Sequence, residues 1–202
     1  MALDLVALGW VHRTPVVATF ALLVAWCLAE AYARNSTWRQ GAPRHPTNNL
    51  DRGTYPVIAV SISVGMTATL LAFVTGVGGY WPEGTLVGGA ALVATGLTIR
   101  VWALTTLGKF FTMPITIRPD HEIVRAGPYR FLRHPAYTGG LLTAIGIPVA
   151  LGAPVGFVAT VAACLAAYVY RIGIEEAALV GRFGEQYREY ARATWRLIPG
   201  VY

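Results

Sequence analysis

The feature that most limits the possible folds of this chain is a set of four stretches without acidic or basic residues, namely 15–29, 56–80, 84–99 and 138–170. The hydrocarbon core of a bilayer is about 30 Å thick, and a helix needs roughly 20 apolar residues to cross it. The last stretch is too long for one crossing, and Gly152, Ala153 and Pro154 divide it into segments near 135–151 and 154–171. The pattern predicts an all-α integral membrane protein with about five transmembrane helices, the last two forming a helical hairpin.

Composition agrees with this interpretation. Hydrophobic residues make up 55% of the chain and charged residues 13%, a balance that excludes a soluble domain of this length. We expect a single membrane domain over 1–202. Within it, 1–107 supplies the first three helices, and 108–202 carries most of the polar residues that could form a site.

Basic residues are distributed unevenly along the chain. Of the 16 lysines and arginines, 14 lie after the first predicted helix, between the third and fourth, or after the fifth. Because such residues collect in cytoplasmic loops, we expect the N-terminus outside and the C-terminus in the cytoplasm, in the inner membrane of a bacterium or archaeon. Membrane lipids with anionic headgroups account for the net charge of +6. No interleaving of basic and aromatic residues indicates a nucleic-acid partner.

The two cysteines do not indicate a metal site or a disulfide. Cys27 and Cys164 fall in separate predicted helices, and the sequence contains no CxxC motif. We interpret both as packing residues and expect no metal.

After the fifth predicted helix the chain becomes amphipathic. Leu179, Phe183, Tyr187 and Tyr190 recur at helical spacing opposite charged neighbours. This pattern predicts a cytosolic C-terminal helix that lies along the membrane surface or folds back onto the bundle. The loop 108–133 is long enough to be a structured part of a site, and we expect the helix to pack against it.

Charged residues gather at the start of the fourth predicted helix. Arg133 and His134 precede Pro135, and proline is favoured at the first position of a helix. The N-terminus of a helix attracts anions, so the motif predicts either an anion site or arginines that only contact headgroups. Glu175 and Glu176 either bind a cationic group or pair with nearby arginines. Together the two motifs favour a zwitterionic or multiply charged ligand at the membrane surface.

Two further sets of residues have an ordinary and a functional interpretation. Arg100, in the third predicted helix, either extends to the inner interface or faces the bundle and orients a substrate, because charge inside a membrane is costly. Four aromatic side chains near the end of the fifth predicted helix and beyond it are interpreted as packing residues rather than as a cofactor cage. They are Tyr168, Tyr170, Phe183 and Tyr187.

Several short motifs follow one another in the C-terminal half of the chain. They are Leu107-Gly108-Lys109-Phe110-Phe111, His121-x-x-Val124-x-x-Gly127-Pro128-Tyr129, Arg133-His134-Pro135-x-Tyr137-x-Gly139, Glu175-Glu176-x-x-Leu179-x-x-x-Phe183-Gly184-x-x-Tyr187-x-x-Tyr190 and Arg196-x-Ile198-Pro199. Each is weak alone, but the ordered set is specific. It closely resembles the isoprenylcysteine carboxyl methyltransferase family of integral membrane methyltransferases, which also includes phospholipid methyltransferase relatives.

The resemblance implies S-adenosyl-L-methionine as the cofactor, bound at the cytosolic side beneath the C-terminal helix. It also implies a tunnel open to lipid that admits a lipophilic small-molecule, prenyl or lipid acceptor. Carried over by motif, the residues that frame the adenosine are His121, Ile123, Val124, Gly127 and Tyr129. Those that hold the polar end are His134, Pro135, Tyr137 and Glu175, with Glu176 as an alternative. The catalytic candidates are Glu176 and three arginines whose position in the sequence suits them to orient an acceptor carboxylate: Arg133, Arg171 and Arg196.

Two other functions stay open at this point. An NADPH-dependent membrane reductase of the sterol or steroid type has a similar final segment, here 196–202, and a non-catalytic membrane sensor could retain the same pocket. The adjacent glutamates and the block 121–129 favour the methyl donor. We therefore interpret the chain as a methyltransferase, with carboxyl O-methyl transfer favoured. The sequence leaves open whether oxygen, nitrogen or sulfur is methylated.

Overall fold

The computed structural model describes residues 13–42, 50–82 and 85–201. Over these ranges the chain forms six α-helices and no β-strand, which confirms the all-α prediction. In chain order they are α1 (Arg13–Arg39), α2 (Thr54–Thr75), α3 (Thr85–Leu107), α4 (Pro135–Ala150), α5 (Pro154–Phe183) and α6 (Glu185–Arg192). The predicted outer N-terminus, the start of the third span at Gly84 and the end of the segment 196–202 lie outside the described residues.

Four of the described helices are long and apolar enough to cross a membrane: Val16–Arg39, Thr54–Thr75, Thr85–Phe110 and Pro154–Phe183. The protein is therefore an integral membrane protein. The fourth predicted helix is present as α4 and begins at Pro135, as expected, but it has 16 residues. At 1.5 Å per residue it is about 24 Å long, shorter than the core of a typical bilayer.

The last two predicted helices are joined by the short Gly152–Pro154 turn, but they pack mainly against other partners. α4 packs on α3 through glycines, and a Cβ atom added at Gly96 would lie 2.6 Å from the carbonyl oxygen of Gly139. α5 packs on α2 in the same way, because a Cβ atom at Gly156 would lie 2.5 Å from the Cα atom of Thr69. Small residues allow membrane helices to approach closely. The two helices of the expected hairpin are therefore adjacent, but each packs mainly on an earlier helix, α4 on α3 and α5 on α2.

Two adjacent glycines of α3 allow a matched test of this packing. A Cβ atom at Gly89 would lie 2.3 Å from the backbone nitrogen of Ala150, whereas a Cβ atom at Gly88 would meet nothing within 4 Å. We expect Gly89→Ala to lower the unfolding temperature in detergent, because backbone atoms of α4 must move, at a cost of about 1–3 kcal/mol. Gly88→Ala should leave it unchanged or raise it slightly, since alanine favours helix over glycine. Equal unfolding temperatures for the two variants would contradict the α3–α4 contact.

The connections between helices lie at two opposite ends of the bundle. At one end the backbone N–H of Trp81 donates to the carbonyl oxygen of Gly152 at 2.9 Å. At the other end the guanidinium of Arg118 donates to the carbonyl oxygen of Gly41 at 3.1 Å, and that of Arg182 donates to Pro119 at 2.9 Å. The long loop between α3 and α4 is therefore bound to the ends of α1 and α5, and the basic segments lie together.

The amphipathic C-terminal segment differs from the prediction. α5 continues without interruption through Arg171 to Phe183, and a separate short helix, α6, begins at Glu185. Gly184 separates them with a positive φ of 56°, a conformation that glycine adopts at little cost. The change from apolar to amphipathic sequence near Arg171 thus marks where α5 leaves the apolar region, while Gly184 marks where the helix ends.

Candidate active site

A cavity of about 340 Å³ extends from the membrane helices to the long loop and α6. Its apolar end is lined by Trp26 of α1 and by Ile58, Ala59 and Ile62 of α2. Its other end is lined by the loop around His121 and by α6. One continuous space therefore joins the apolar interior of the bundle to its polar end.

At the loop end, the His121 ring lies between two phenylalanine rings, with centroids 4.8 Å from Phe110 and 5.9 Å from Phe183. Its Nδ1 atom is buried and has no hydrogen-bond partner among the described residues. Burial lowers the pKa of His121 below its usual 6.5, so the ring is neutral at pH 7. The ring therefore presents an unused hydrogen-bonding nitrogen in the wall of the cavity.

Tyr187 of α6 presents a second unused polar atom at the same end. The side chain is 3% exposed and lines the cavity, and its hydroxyl has no hydrogen-bond partner among the described residues. Burial, with the negative charges of Glu176 and Glu175, raises the pKa of Tyr187, so the hydroxyl stays protonated and can donate. Sequence analysis interpreted Tyr187 as a packing residue and missed this feature. Its neighbour Tyr190 is satisfied, since its hydroxyl donates to the carbonyl oxygen of Tyr129 at 2.8 Å.

The middle of the cavity holds a chain of hydrogen bonds centred on Tyr137. Its hydroxyl donates to Oε2 of Glu175 at 2.7 Å and accepts from Nε of Arg171 at 2.6 Å. The Tyr137 ring stacks on His134 and Tyr168, with centroids 5.6 and 5.1 Å apart. Residues from α4 and α5 are thus held in a fixed arrangement at the point where the two ends of the cavity meet.

Arg171 is bound from behind by Asp51, a residue to which sequence analysis assigned no role. The Asp51 carboxylate pairs with the Arg171 guanidinium and also accepts hydrogen bonds from the hydroxyl of Thr54 and the backbone N–H of Tyr55. Burial alone would raise the pKa of Asp51, but these hydrogen bonds and the charge of Arg171 lower it below 3.8. The pair is therefore ionised at neutral pH and joins α5 to the start of α2.

Glu176 has different partners from the adjacent Glu175. Its Oε1 atom lies 2.8 Å from Nε of Arg133 and 3.3 Å from Nε2 of His134, and its Oε2 atom lies 2.9 Å from Arg196. Neither Glu176 nor Arg196 lines the cavity. The sequence left two interpretations of the glutamates open. Glu176 pairs with arginines, whereas Glu175 faces the cavity, where it can contact a cationic ligand.

The start of α4 is covered by the end of the chain. The backbone N–H groups of Arg133 and His134 donate to the carbonyl oxygens of Trp195 and Arg196 at 2.7 and 3.1 Å. The Arg133 side chain also donates to the carbonyl oxygens of Ala191, at 2.5 Å, and Thr194. Position 134 does precede the helix, as predicted, but the C-terminal segment occupies the surface where we expected an anion.

Nine of the thirteen predicted site residues line the cavity: Arg133, Arg171, His121, Ile123, Val124, Tyr129, His134, Tyr137 and Glu175. The other four, Gly127, Pro135, Glu176 and Arg196, do not. Gly127 has a positive φ of 54°, and a Cβ atom there would lie 2.9 Å from Oγ1 of Thr106, so its role is to let the loop pack against α3. Pro135 is buried at the first position of α4. These four contribute to the shape of the site from outside its wall.

Arg100 does not extend to the interface but faces the bundle and lines the cavity. It pairs with Glu30 of α1 and donates from Nη1 to the carbonyl oxygen of Ala136 at 2.9 Å. Glu30 also lines the cavity and was not among the predicted site residues. No group of three or more histidine, cysteine, aspartate or glutamate side chains suited to a metal occurs in 13–42, 50–82 or 85–201.

The fold and the cavity define a helical membrane protein with a site at the end of its bundle, and comparison with known proteins places it in a family. A model described as the isoprenylcysteine carboxyl methyltransferase (ICMT) family matches residues 89–181. Protein-S-isoprenylcysteine O-methyltransferase B of Arabidopsis thaliana is 31% identical over 163 residues, which cover 80% of this chain and 82% of that protein. The chain belongs to the isoprenylcysteine carboxyl methyltransferase family.

Other relatives agree over shorter regions. Protein-S-isoprenylcysteine O-methyltransferase of Dictyostelium discoideum is 32% identical over 116 residues, 56% of this chain and 49% of that protein. The structure of the eukaryotic intramembrane Ras methyltransferase, an isoprenylcysteine carboxyl methyltransferase, aligns with a TM-score of 0.61 and 25% identity. That alignment covers 72% of this chain and 53% of the other. These matches support a membrane methyltransferase over the reductase and the sensor.

Proposed function

We propose that the protein transfers a methyl group from S-adenosylmethionine to a carboxylate of a lipophilic acceptor. The observation that carries this proposal is a continuous cavity that has an apolar end and a polar end. Trp26, Ile58 and Ile62 offer an apolar surface for a lipid chain at one end, while the loop around His121 and α6 offer polar atoms at the other. A reaction between a lipid and a polar donor requires such a continuous space.

The residues at the loop end fit the methyl donor. The Nδ1 atom of His121 and the hydroxyl of Tyr187 are buried and have no hydrogen-bond partner in the part of the chain that the structure describes. A buried polar atom without a partner is costly. The polar groups of an adenosine can supply the missing hydrogen bonds. Glu175, which lines the cavity with its side chain 30% exposed, suits the ammonium of the methionine moiety. When bound, S-adenosylmethionine supplies a methyl group that is activated by a positively charged sulfur.

The protein contributes mainly position and the exclusion of water. A carboxylate oxygen is already a nucleophile, so no general base is required, whereas an amine or thiol would have to lose a proton. Arg171 and Tyr137 hold each other at the centre of the cavity, with the Arg171 side chain 6% exposed. A fixed guanidinium in a dry environment can orient a carboxylate far better than one in water.

We further infer the orientation from the same charge distribution that the sequence showed. The basic segments after α1, between α3 and α4, and after α5 lie at one end of the bundle, where Arg118 and Arg182 bind neighbouring segments. The positive-inside rule supports a cytoplasmic position for this end and for the donor. An N-terminus outside, and a bacterial or archaeal inner membrane, stay predictions.

Calorimetric titration of the detergent-purified protein tests the donor. We expect S-adenosylhomocysteine to bind saturably at one site and NADPH, titrated in parallel, to give no saturable heat. Binding of NADPH alone would contradict the proposal and support the reductase. If neither binds to protein that unfolds cooperatively, the donor assignment is wrong.

Tyr187→Phe gives a test in which affinity and stability move in opposite directions. The substitution removes one hydrogen bond to the donor, so we expect the dissociation constant of S-adenosylhomocysteine to rise up to about tenfold. Because the hydroxyl has no partner among the described residues, the unfolding temperature should stay the same or increase. Tyr170→Phe, at a side chain that is 52% exposed on α5, should change neither quantity. Unchanged donor affinity in Tyr187→Phe would remove Tyr187 from the site.

A further inference from the structure

A second pocket, with a volume of about 400 Å³, opens at the C-terminal segment. It is lined by Arg133 and by residues 191–196, which include Arg192 and Arg196. Its wall contains three arginines and, over the ranges that the structure describes, no carboxylate. It shares Arg133 with the active-site cavity and no other lining residue. The pocket is therefore a cationic site that the proposed methyl transfer does not use.

The carboxylates that reach these arginines are shared. Glu176 contacts two arginines of the pocket, at 2.8 and 2.9 Å. Glu185 contacts both Arg192 and Arg188, the latter at 3.4 Å. Neither carboxylate balances the two guanidinium groups that it contacts. The Arg192 side chain is 67% exposed, and exposed ion pairs are weak, so this arginine can exchange Glu185 for an anionic ligand at little cost.

Exposed aromatic side chains lie beside the pocket. Trp195, which lines it, is 49% exposed, and Phe131 is 60% exposed. The two segments are joined, because the backbone N–H of Trp195 donates to the carbonyl oxygen of Phe131 at 3.0 Å. Pro135, where α4 begins, follows four residues later. Aromatic and basic side chains at the end of a membrane helix are typical of the headgroup layer. The pocket therefore lies where lipid headgroups can reach it.

We propose that this pocket binds the phosphate of an anionic phospholipid and that the bound lipid stabilises the donor end of the active-site cavity. The phosphate pairs with Arg192 and Arg196, since a guanidinium donates two parallel hydrogen bonds to phosphate oxygens. Trp195 and Phe131 contact the apolar part of the same lipid. These aromatic contacts favour a lipid over a soluble phosphate, which would use the arginines alone.

Arg133 connects the pocket to the donor end. Its guanidinium donates to the carbonyl oxygens of Ala191 and Thr194, both in the pocket wall, and its side chain also lines the active-site cavity. The pocket segment continues directly from α6, which supplies Tyr187 to the cavity. A lipid bound at 191–196 therefore holds α6 in position against the cavity. This effect on the donor rests on the proposed function, whereas binding of the lipid does not.

Arg192→Gln and Arg188→Gln form a matched pair for the first test. Both arginines are exposed on α6 and contact Glu185, and each substitution removes one positive charge, but only Arg192 lines the pocket. Native mass spectrometry in detergent, with phosphatidylglycerol and phosphatidylcholine in equal amounts, measures the lipid retained. We expect the unaltered protein to retain phosphatidylglycerol preferentially. Arg192→Gln should lower its affinity about tenfold, and Arg188→Gln at most about twofold.

Three results of this experiment would overturn the proposal. Equal losses in the two variants would show a diffuse attraction to the basic surface rather than a pocket. Equal retention of the two lipids by the unaltered protein would show that the site does not select an anion. Inorganic phosphate at the same concentration as the lipid should not displace it, and displacement would assign the pocket to a soluble anion.

The second test measures the affinity of S-adenosylhomocysteine in nanodiscs of phosphatidylcholine with and without phosphatidylglycerol. We expect the anionic lipid to lower the dissociation constant about fivefold in the unaltered protein and in Arg188→Gln, and to have no effect in Arg192→Gln. The same affinity in both membranes would overturn the link between the pocket and the donor end. If S-adenosylhomocysteine binds in neither membrane, the proposed function is wrong, and lipid retention in the first test still decides whether the pocket binds a phospholipid.

Discussion

Asp51→Ala is expected to destabilise the protein by about 3–5 kcal/mol, since removing one partner of a buried ion pair leaves the other charge uncompensated. The Arg171 side chain is 6% exposed and that of Asp51 is 3% exposed, so solvent cannot replace the lost partner. Turnover should also fall, because Arg171 holds the hydroxyl of Tyr137. The measurements are denaturation in detergent and methyl transfer at saturating donor.

Asp120→Ala is the control for that result. Asp120 also contacts two basic side chains, Lys109 and Arg118, but its side chain is 46% exposed. Exposed ion pairs contribute little, so we expect no measurable change in stability. If Asp120→Ala destabilised the protein as much as Asp51→Ala, burial would not be the cause.

The lowered pKa of Asp51 predicts how stability depends on pH. The ionised carboxylate contributes fully to stability above pH 3.8, and this contribution is lost as the pH falls through the lowered pKa.

Glu175→Gln and Glu176→Gln are expected to affect different properties, although the two residues are adjacent: the first lowers donor affinity and the second lowers stability. Glu175 lines the cavity, so its neutralisation should weaken binding of S-adenosylhomocysteine at least tenfold with a small change in stability. Glu176 compensates Arg133 and Arg196, so its neutralisation should cost about 3 kcal/mol of stability. The folded fraction of the Glu176→Gln variant should still bind S-adenosylhomocysteine.

The two variants serve as controls for each other. Calorimetry with S-adenosylhomocysteine and unfolding in detergent should be performed on the same preparations. If Glu176→Gln weakened donor binding more than Glu175→Gln while its unfolding temperature stayed unchanged, the two roles would have to be exchanged. Glu176 would then bind the donor, and Glu175 would stabilise the fold. Identical behaviour of both variants would contradict the different surroundings of the two carboxylates.

The features that sequence analysis predicted correctly depend on neighbouring residues. Pro135 marks the first position of α4 because proline lacks an N–H group that the helix would not use there. The Gly152–Pro154 turn was equally clear, since these residues interrupt an otherwise apolar stretch. Of the nine predicted residues that line the cavity, all but Arg171 fall within the family motifs.

The features that it missed depend on contacts between distant segments. Asp51 and Arg171 are separated by 120 positions, and Glu30 and Arg100 by 70, so no periodic pattern could join them. The pairing of α3 with α4 escaped prediction for another reason. Apolar residues surround a membrane helix on all sides, and the face that packs is set by small residues such as Gly96 rather than by hydrophobicity.

The position of the C-terminal segment has a consequence for synthesis of the protein. Tyr187, the carbonyl groups that bind Arg133, and the strand-like contact of Trp195 with Leu132 all follow the last membrane helix in the chain. All the long helices are therefore made, and available for insertion, before the wall of the donor end is complete. A nascent chain that has just completed α5 lacks the residues that close this pocket, so the proposed donor site can form only after the segment that follows α5 has been made.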